Sequence, residues 1–218
     1  MKEKLKKVLL LGDSIRLGYC RFVKEALDGV VEVYSPKENC AFAQYLYRWL
    51  HVWKKNEGYP DDIDLVHWNV GAWDVLRMFG EGTFTSPEFY CETLKKLQKH
   101  IQFLFPKAKQ IFATITSVVE EGYGPSYQRY NGDIEQFNRV AIETLTPLGV
   151  EINDLYSLTQ NIDESCRSDM THFYTVNGIK LLGGRVLEVV CKSLGVPLEE
   201  TKDADAVIPK LSIEVVGH

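Results

Sequence analysis

"VLLLGDSIRLGY", Val8 to Tyr19, is a run of four aliphatic residues that stops on Gly12-Asp13-Ser14 and resumes with helical spacing. A short apolar run of this kind fits a strand buried on both faces. Gly, Asp and Ser all favour turns, so the stop reads as an ordinary turn or as a nucleophile delivered to the rim of a sheet. The rest of the chain has to choose between these two readings.

Working outward, short apolar runs alternate with helical patterns. Strands are expected at 7–12, 30–35, 64–70, 110–116 and 150–153. Ser86 can cap a helix whose first position is Pro87, with Glu88 at its positive end, and Leu94, Leu97, Ile101 and Leu104 share one face before Pro106 closes it. Further helices are expected over 133–145 and 176–194. Repeated β-α-β units imply a three-layer α/β/α sandwich around a five-stranded parallel sheet, doubly wound and flavodoxin-like, with its site at the carboxyl ends of the strands. One domain is expected over 1–195. The C-terminal extension, 196–218, reads as a loose polar stretch (199–206) followed by an added strand or an oligomer contact.

The chain has 218 residues, 45% of them hydrophobic and 25% charged, enough for one substantial soluble domain. A net charge of −5 argues against a general nucleic-acid or membrane-surface binder. The start, "MKEKLKKVLLLGDS", imitates the charged part of a signal peptide, but its apolar run is short and no small-residue cleavage site follows. The expectation is a cytoplasmic protein. Cys20, Cys40, Cys91, Cys166 and Cys191 are dispersed without a C-x-x-C pair, and the five histidines lack metal-ligand spacing, so neither a disulfide framework nor a metal is expected.

Under this topology Ser14 lies at the rim, near a helix N-terminus whose N–H groups favour an anion. A serine hydroxyl needs a base to take its proton. Of the five histidines, His172 has suitable company, in Asp169-Met170-Thr171-His172 just before the last helix. A carboxylate three residues upstream can orient one ring nitrogen and leave the other as the base, the logic of a Ser-His-Asp arrangement.

With Gly-Asp-Ser after the first strand and Asp-x-x-His before the last helix, the chain resembles the SGNH (GDSL-like) hydrolases over roughly residues 7–195. That resemblance implies a serine esterase or acylhydrolase with Ser14, His172 and Asp169 as its catalytic residues and no cofactor. Two blocks depart from the family pattern. After the second strand, Asn39-Cys40-Ala41 stands where a glycine is usual. After the third, "HWNVGAWDV" keeps Gly71 and Asp74 but puts Trp73 in place of the asparagine that supplies an oxyanion donor. Asn69, two residues before Gly71, is the candidate replacement, beside the Ser14 N–H and the N–H of Cys40 or Ala41. Asn69 also reads as a polar residue satisfying a strand end.

Asp13 is expected to hold the nucleophile loop and is counted with Asn39 and Trp73 as a substrate contact, although Asn39 reads first as a turn former. Arg16 reads as a clamp for a polar substrate or, preferably, as the partner of a carboxylate. The stretch "YLYRWLHVW", 45–53, reads as core, whereas Asn39, Trp73, Tyr123, Tyr127 and Arg129 are candidates for a polar and aromatic rim suited to sugar rings, the loop 120–130 reading equally as an ordinary lid. A short acyl ester, acetyl above all, on a carbohydrate or other small molecule is the expected substrate. The resemblance leaves lysophospholipids, thioesters and aryl esters open. No phosphate-cradling glycine motif and no G-x-S-x-G elbow is present. The rivals are a binding module for a glycan or acyl ligand with a lost oxyanion hole, and an FMN-binding flavodoxin-like domain.

Overall fold

Val8, Leu9, Leu10 and Leu11 are all wholly buried, and alternate side chains enter two different cores. This two-sided burial makes the opening stretch a central strand of a parallel sheet. The structure is a computed structural model and describes residues 4–210. In chain order its elements are β1 (Lys6–Leu11), α1 (Ser14–Ala26), β2 (Val31–Tyr34), α2 (Ala43–Glu57), β3 (Leu65–Trp68), β4 (Arg77–Met78), α3 (Pro87–Leu104), β5 (Lys109–Ala113), β6 (Tyr127–Gln128), α4 (Asn131–Leu145), β7 (Glu151–Asn153), α5 (Leu155–Thr159), α6 (Val176–Leu194) and α7 (Ala204–Val207).

Five strands form one parallel sheet in the order β2-β1-β3-β5-β7, a doubly wound arrangement with β1 inside the sheet between β2 and β3. Leu9, Leu11, Val66, Trp68 and Phe112 face one layer, where α2, α3 and α4 contribute Leu50, Leu97 and Phe137. Val8, Leu10, Leu65 and Ile111 face the other, against Phe22 of α1 and Leu182 and Val186 of α6. The period of two along each strand thus separates the cores.

The caps set the helix starts. Ser86 Oγ accepts from the Phe89 N–H with Pro87 in the first turn, and Thr175 accepts from the Gly178 N–H at the start of α6. Each of β1, β3 and β5 ends short of its expected limit, because the residues at the carboxyl ends leave the sheet to build the rim. β4 and β6, absent from the sequence reading, pair antiparallel above that rim.

The C-terminal extension differs from its reading as loose. Val207 of α7 is wholly buried against the α1/α6 core, and the Lys202 N–H donates to the Ala26 carbonyl. Ile208–Lys210 is a single 3-10 turn rather than the start of a strand. The remainder of that expected strand lies outside the described residues. None of the described helices is long and apolar enough to cross a membrane.

Candidate active site

The turn after β1 is made by packing as much as by turn propensity. A Cβ at Gly12 would sit 2.0 Å from Asn69 Oδ1 and 2.7 Å from the Arg16 Cβ, so only glycine lets the chain pass there. Asp13 then caps α1, its Oδ1 accepting from the Ile15 N–H at 3.0 Å, and Ser14 becomes the first helical residue. Asp13 is wholly enclosed and also accepts from Asn69 Nδ2 at 2.9 Å. Burial pushes its carboxyl above the ordinary range despite the Asn69 and Ile15 donors.

From the other end of the chain, the loop before α6 brings His172 to Ser14. His172 Nε2 lies 2.9 Å from Ser14 Oγ, and His172 Nδ1 lies 2.8 Å from Asp169 Oδ2. Asp169 Oδ1 also accepts from the Thr171 and His172 N–H groups at 2.7 and 2.9 Å. Burial raises the Asp169 carboxyl, but those N–H groups and the His172 ring outweigh it and hold the group below its ordinary range. An ionised Asp169 places the proton on Nδ1 and leaves the Nε2 lone pair facing the serine hydroxyl. The Tyr174 ring stacks on His172 with centroids 4.8 Å apart, while its hydroxyl donates to the Ser14 carbonyl at 2.8 Å. Tyr174 carries no signal in the sequence beyond its place two residues after the histidine.

Ser14, His172 and Asp169 open onto a cavity of about 760 Å³ that Asn39, Trp73, Tyr123, Tyr127 and Arg129 also line. Its size falls within the usual range for small-molecule sites. Leu17, Leu76 and Met170 add apolar wall that the sequence reading did not single out.

The donors expected for an oxyanion are placed differently. The Cys40 N–H donates to the Gly12 carbonyl at 3.1 Å while its Sγ accepts from the Gly12 N–H, so Cys40 ties the loop after β2 to the Ser14 turn. The Ala41 N–H donates to Asn39 Oδ1 at 2.8 Å. Asn69 is buried and its amide N–H holds Asp13, which makes it a strand-end residue supporting the Ser14 turn. Asp13 is no substrate contact, because burial removes it from the cavity. Arg16 neither clamps a ligand nor pairs with a carboxylate. Wholly buried, it donates to the carbonyls of Gly12, Pro36 and Glu38.

Two donors at the site have no partner among the described residues: the Ser14 N–H at the helix start and the Asn39 amide nitrogen in the cavity wall. Trp73, expected from the resemblance to stand in an asparagine's place, is 40% exposed and presents its ring to the cavity.

No family model matches the chain, and no curated protein does. Among solved structures, a lipase/acylhydrolase from Enterococcus faecalis is 21% identical with a TM-score of 0.65, covering 91% of this chain and 98% of that one. An acetyl xylan esterase is 19% identical with a TM-score of 0.61, covering 84% and 99%. A GDSL-like lipase from Bacteroides thetaiotaomicron is 14% identical with a TM-score of 0.65, covering 86% and 89%. The α/β/α sandwich that places Ser14 beside His172 is therefore the fold of these lipase, acylhydrolase and esterase structures, carried here at low identity.

Proposed function

We propose that this chain is a serine ester hydrolase of the SGNH type that removes a short acyl group, acetyl above all, from a sugar or similar alcohol. The observation that carries the reading is the continuous Ser14 Oγ–His172 Nε2 and His172 Nδ1–Asp169 contact, at 2.9 and 2.8 Å, at the mouth of a cavity. Ser14 Oγ attacks the acyl carbon as His172 Nε2 takes its proton. The tetrahedral intermediate then collapses, and the imidazolium returns that proton to the departing alcohol. Water, deprotonated by the same nitrogen, releases the acid and restores Ser14. Asp169 stays ionised throughout and fixes the ring's tautomer. The Ser14 N–H and the Asn39 amide are the donors available to the oxyanion.

Hydrolysis of p-nitrophenyl acetate, propionate, butyrate, octanoate and palmitate by the parent and by Ser14→Ala tests this. The expected result is turnover that falls with chain length and disappears in the variant. A preference for the long chains would overturn the short-acyl reading, and turnover that survives in Ser14→Ala would overturn the serine mechanism.

One observation favours a second reading. Because the Cys40, Ala41 and Asn69 donors are all engaged and tryptophan replaces the usual asparagine, a binding module with residual catalysis is the competing account. Losing one oxyanion donor typically costs about 10²–10³ in rate. A folded parent with no Ser14-dependent turnover of any of these esters would favour the module.

A further inference from the structure

The cavity wall holds a cation that makes no ion pair among the described residues, although its charge is felt by the enclosed Asp13 carboxyl. Arg77 is paired with Asp133 and Arg185 with Glu188. Arg16 and Arg167 are occupied by backbone carbonyls, with Arg167 also reaching Ser117 Oγ. Arg129 is different. Its Nε donates to the Ala72 carbonyl at 2.6 Å, and its Nη1 makes only a long contact, 3.5 Å, with the Tyr123 hydroxyl. Among the described residues, no carboxylate lies within ion-pair distance of it and Nη2 has no partner.

This guanidinium is also held in place. The Ala72 carbonyl fixes one edge, and the Tyr123 ring lies under it with the guanidinium carbon 5.8 Å from the ring centroid. Tyr123 is itself anchored by its hydroxyl to Thr171 Oγ1 at 2.5 Å. Nη2 and the weakly held Nη1 therefore belong to a positioned fork of the kind that donates to two oxygens of one anion. It shares the cavity with Ser14 and with the exposed faces of Trp73 and Tyr127, whose rings suit the apolar faces of a sugar.

The nearby carboxylates do not occupy that fork. Asp169 is bonded to the His172 ring and to two N–H groups, and Asp13 is enclosed against Asn69. A cation in this wall with no carboxylate in contact leaves room for an anion from a ligand.

We propose that Arg129 binds an anionic group on the alcohol portion of the ester, so that the substrates are acylated acidic sugars rather than neutral ones. The assignment of an ester rests on the proposed function; the preference for an anion does not. A carboxylate and a phosphate present the same paired oxygens to the fork, and the probes below tell them apart.

The test is equilibrium binding to Ser14→Ala, which removes turnover while keeping the cavity. Four probes are titrated calorimetrically: the mono-acetates of methyl glucuronoside, of its methyl ester, of methyl glucoside and of glucose 6-phosphate. An acidic probe is expected to bind about ten- to a hundredfold tighter than the neutral ones at low salt. Arg129→Gln in the same background is expected to bring acidic and neutral probes within about twofold, while Arg129→Lys keeps part of the preference. Whichever acid gains more names the anion. Equal binding of acidic and neutral probes, or a preference that survives Arg129→Gln, would overturn the proposal. Absent Ser14-dependent ester turnover in the parent overturns the hydrolase reading instead, and leaves this binding result standing on its own.

Discussion

Ser14 sits where three separate constraints meet. Gly12 lets the chain turn, Asp13 caps the helix, and His172 arrives from 158 residues away in sequence. At this scale the roles of the two asparagines divide. Asn69 acts on Asp13, whereas Asn39 faces the cavity. Asn69→Ala is therefore expected to leave a buried carboxylate without one of its two donors and to cost about 1–3 kcal/mol of stability, read by urea unfolding. Asn39→Ala removes the acceptor of the Ala41 N–H and is expected to cost about 0.5–1.5 kcal/mol in the same measurement. His172→Ala is expected to lower kcat on a short aryl ester by about 10²–10⁴ with no comparable loss of stability. A similar fall in Asp169→Asn would place the effect in the tautomer rather than in packing.

At the scale of elements, the turn between β1 and α1 is the piece on which the site depends. Gly12→Ala puts a methyl group into Asn69 and the Arg16 stem, and is expected to cost at least about 1–3 kcal/mol in thermal or urea unfolding. It should also slow any Ser14 chemistry, since relief of the clash must move the loop.

Much of this was legible in the sequence. The two-sided run at Val8–Leu11, the Ser86-Pro87 start of α3 and the full extent of α6 follow from burial pattern and capping chemistry. The Asp169-x-x-His172 spacing indicated which histidine would meet the serine. The oxyanion donors were not legible, because whether an N–H is free depends on its neighbours. The Cys40 N–H is spent on Gly12 and the Asn69 amide on Asp13, contacts that span 28 and 56 positions. Nor could a pattern search find β4 and β6, two residues each, which owe their pairing to the loops above the site. The docking of the C-terminal segment on the α1/α6 core was hidden for a related reason: Val196, Ala204, Val207 and Ile208 are spread through a polar stretch, and their value lies in where they land.

Across the whole molecule, two buried groups outside the proposed chemistry set how stability responds to acid. His67 on β3 is enclosed beside Tyr19, with its Nε2 3.1 Å from Asn153 Nδ2, and burial lowers its pKa to about 4. Asp74 is held by the Ala43 N–H, and burial raises its pKa to about 6 against the pull of Thr85 and that N–H. Their effects oppose. On acidification below about 6.5 the unfolded chain binds the His67 proton first, so stability falls until the folded pKa is passed. Between about 6 and 4 the folded chain binds the Asp74 proton first, so stability rises. Each effect is on the order of 3 kcal/mol. Asp74→Asn keeps an acceptor for Ala43 and removes the rising contribution. The variant is expected to lose about 3 kcal/mol more than the parent between pH 6.5 and 4, measured by urea unfolding at a series of pH values. Parallel pH profiles for parent and variant would contradict this assignment.

The central claim is that Ser14 is a nucleophile activated by His172. The most direct measurement treats the folded protein with a fluorophosphonate probe and locates the label by mass spectrometry, with Ser14→Ala and His172→Ala alongside. The account requires a single label on Ser14, absent from the first variant and slowed at least a hundredfold in the second. A folded protein that takes no label, or one labelled at Ser14 just as fast without His172, would contradict it.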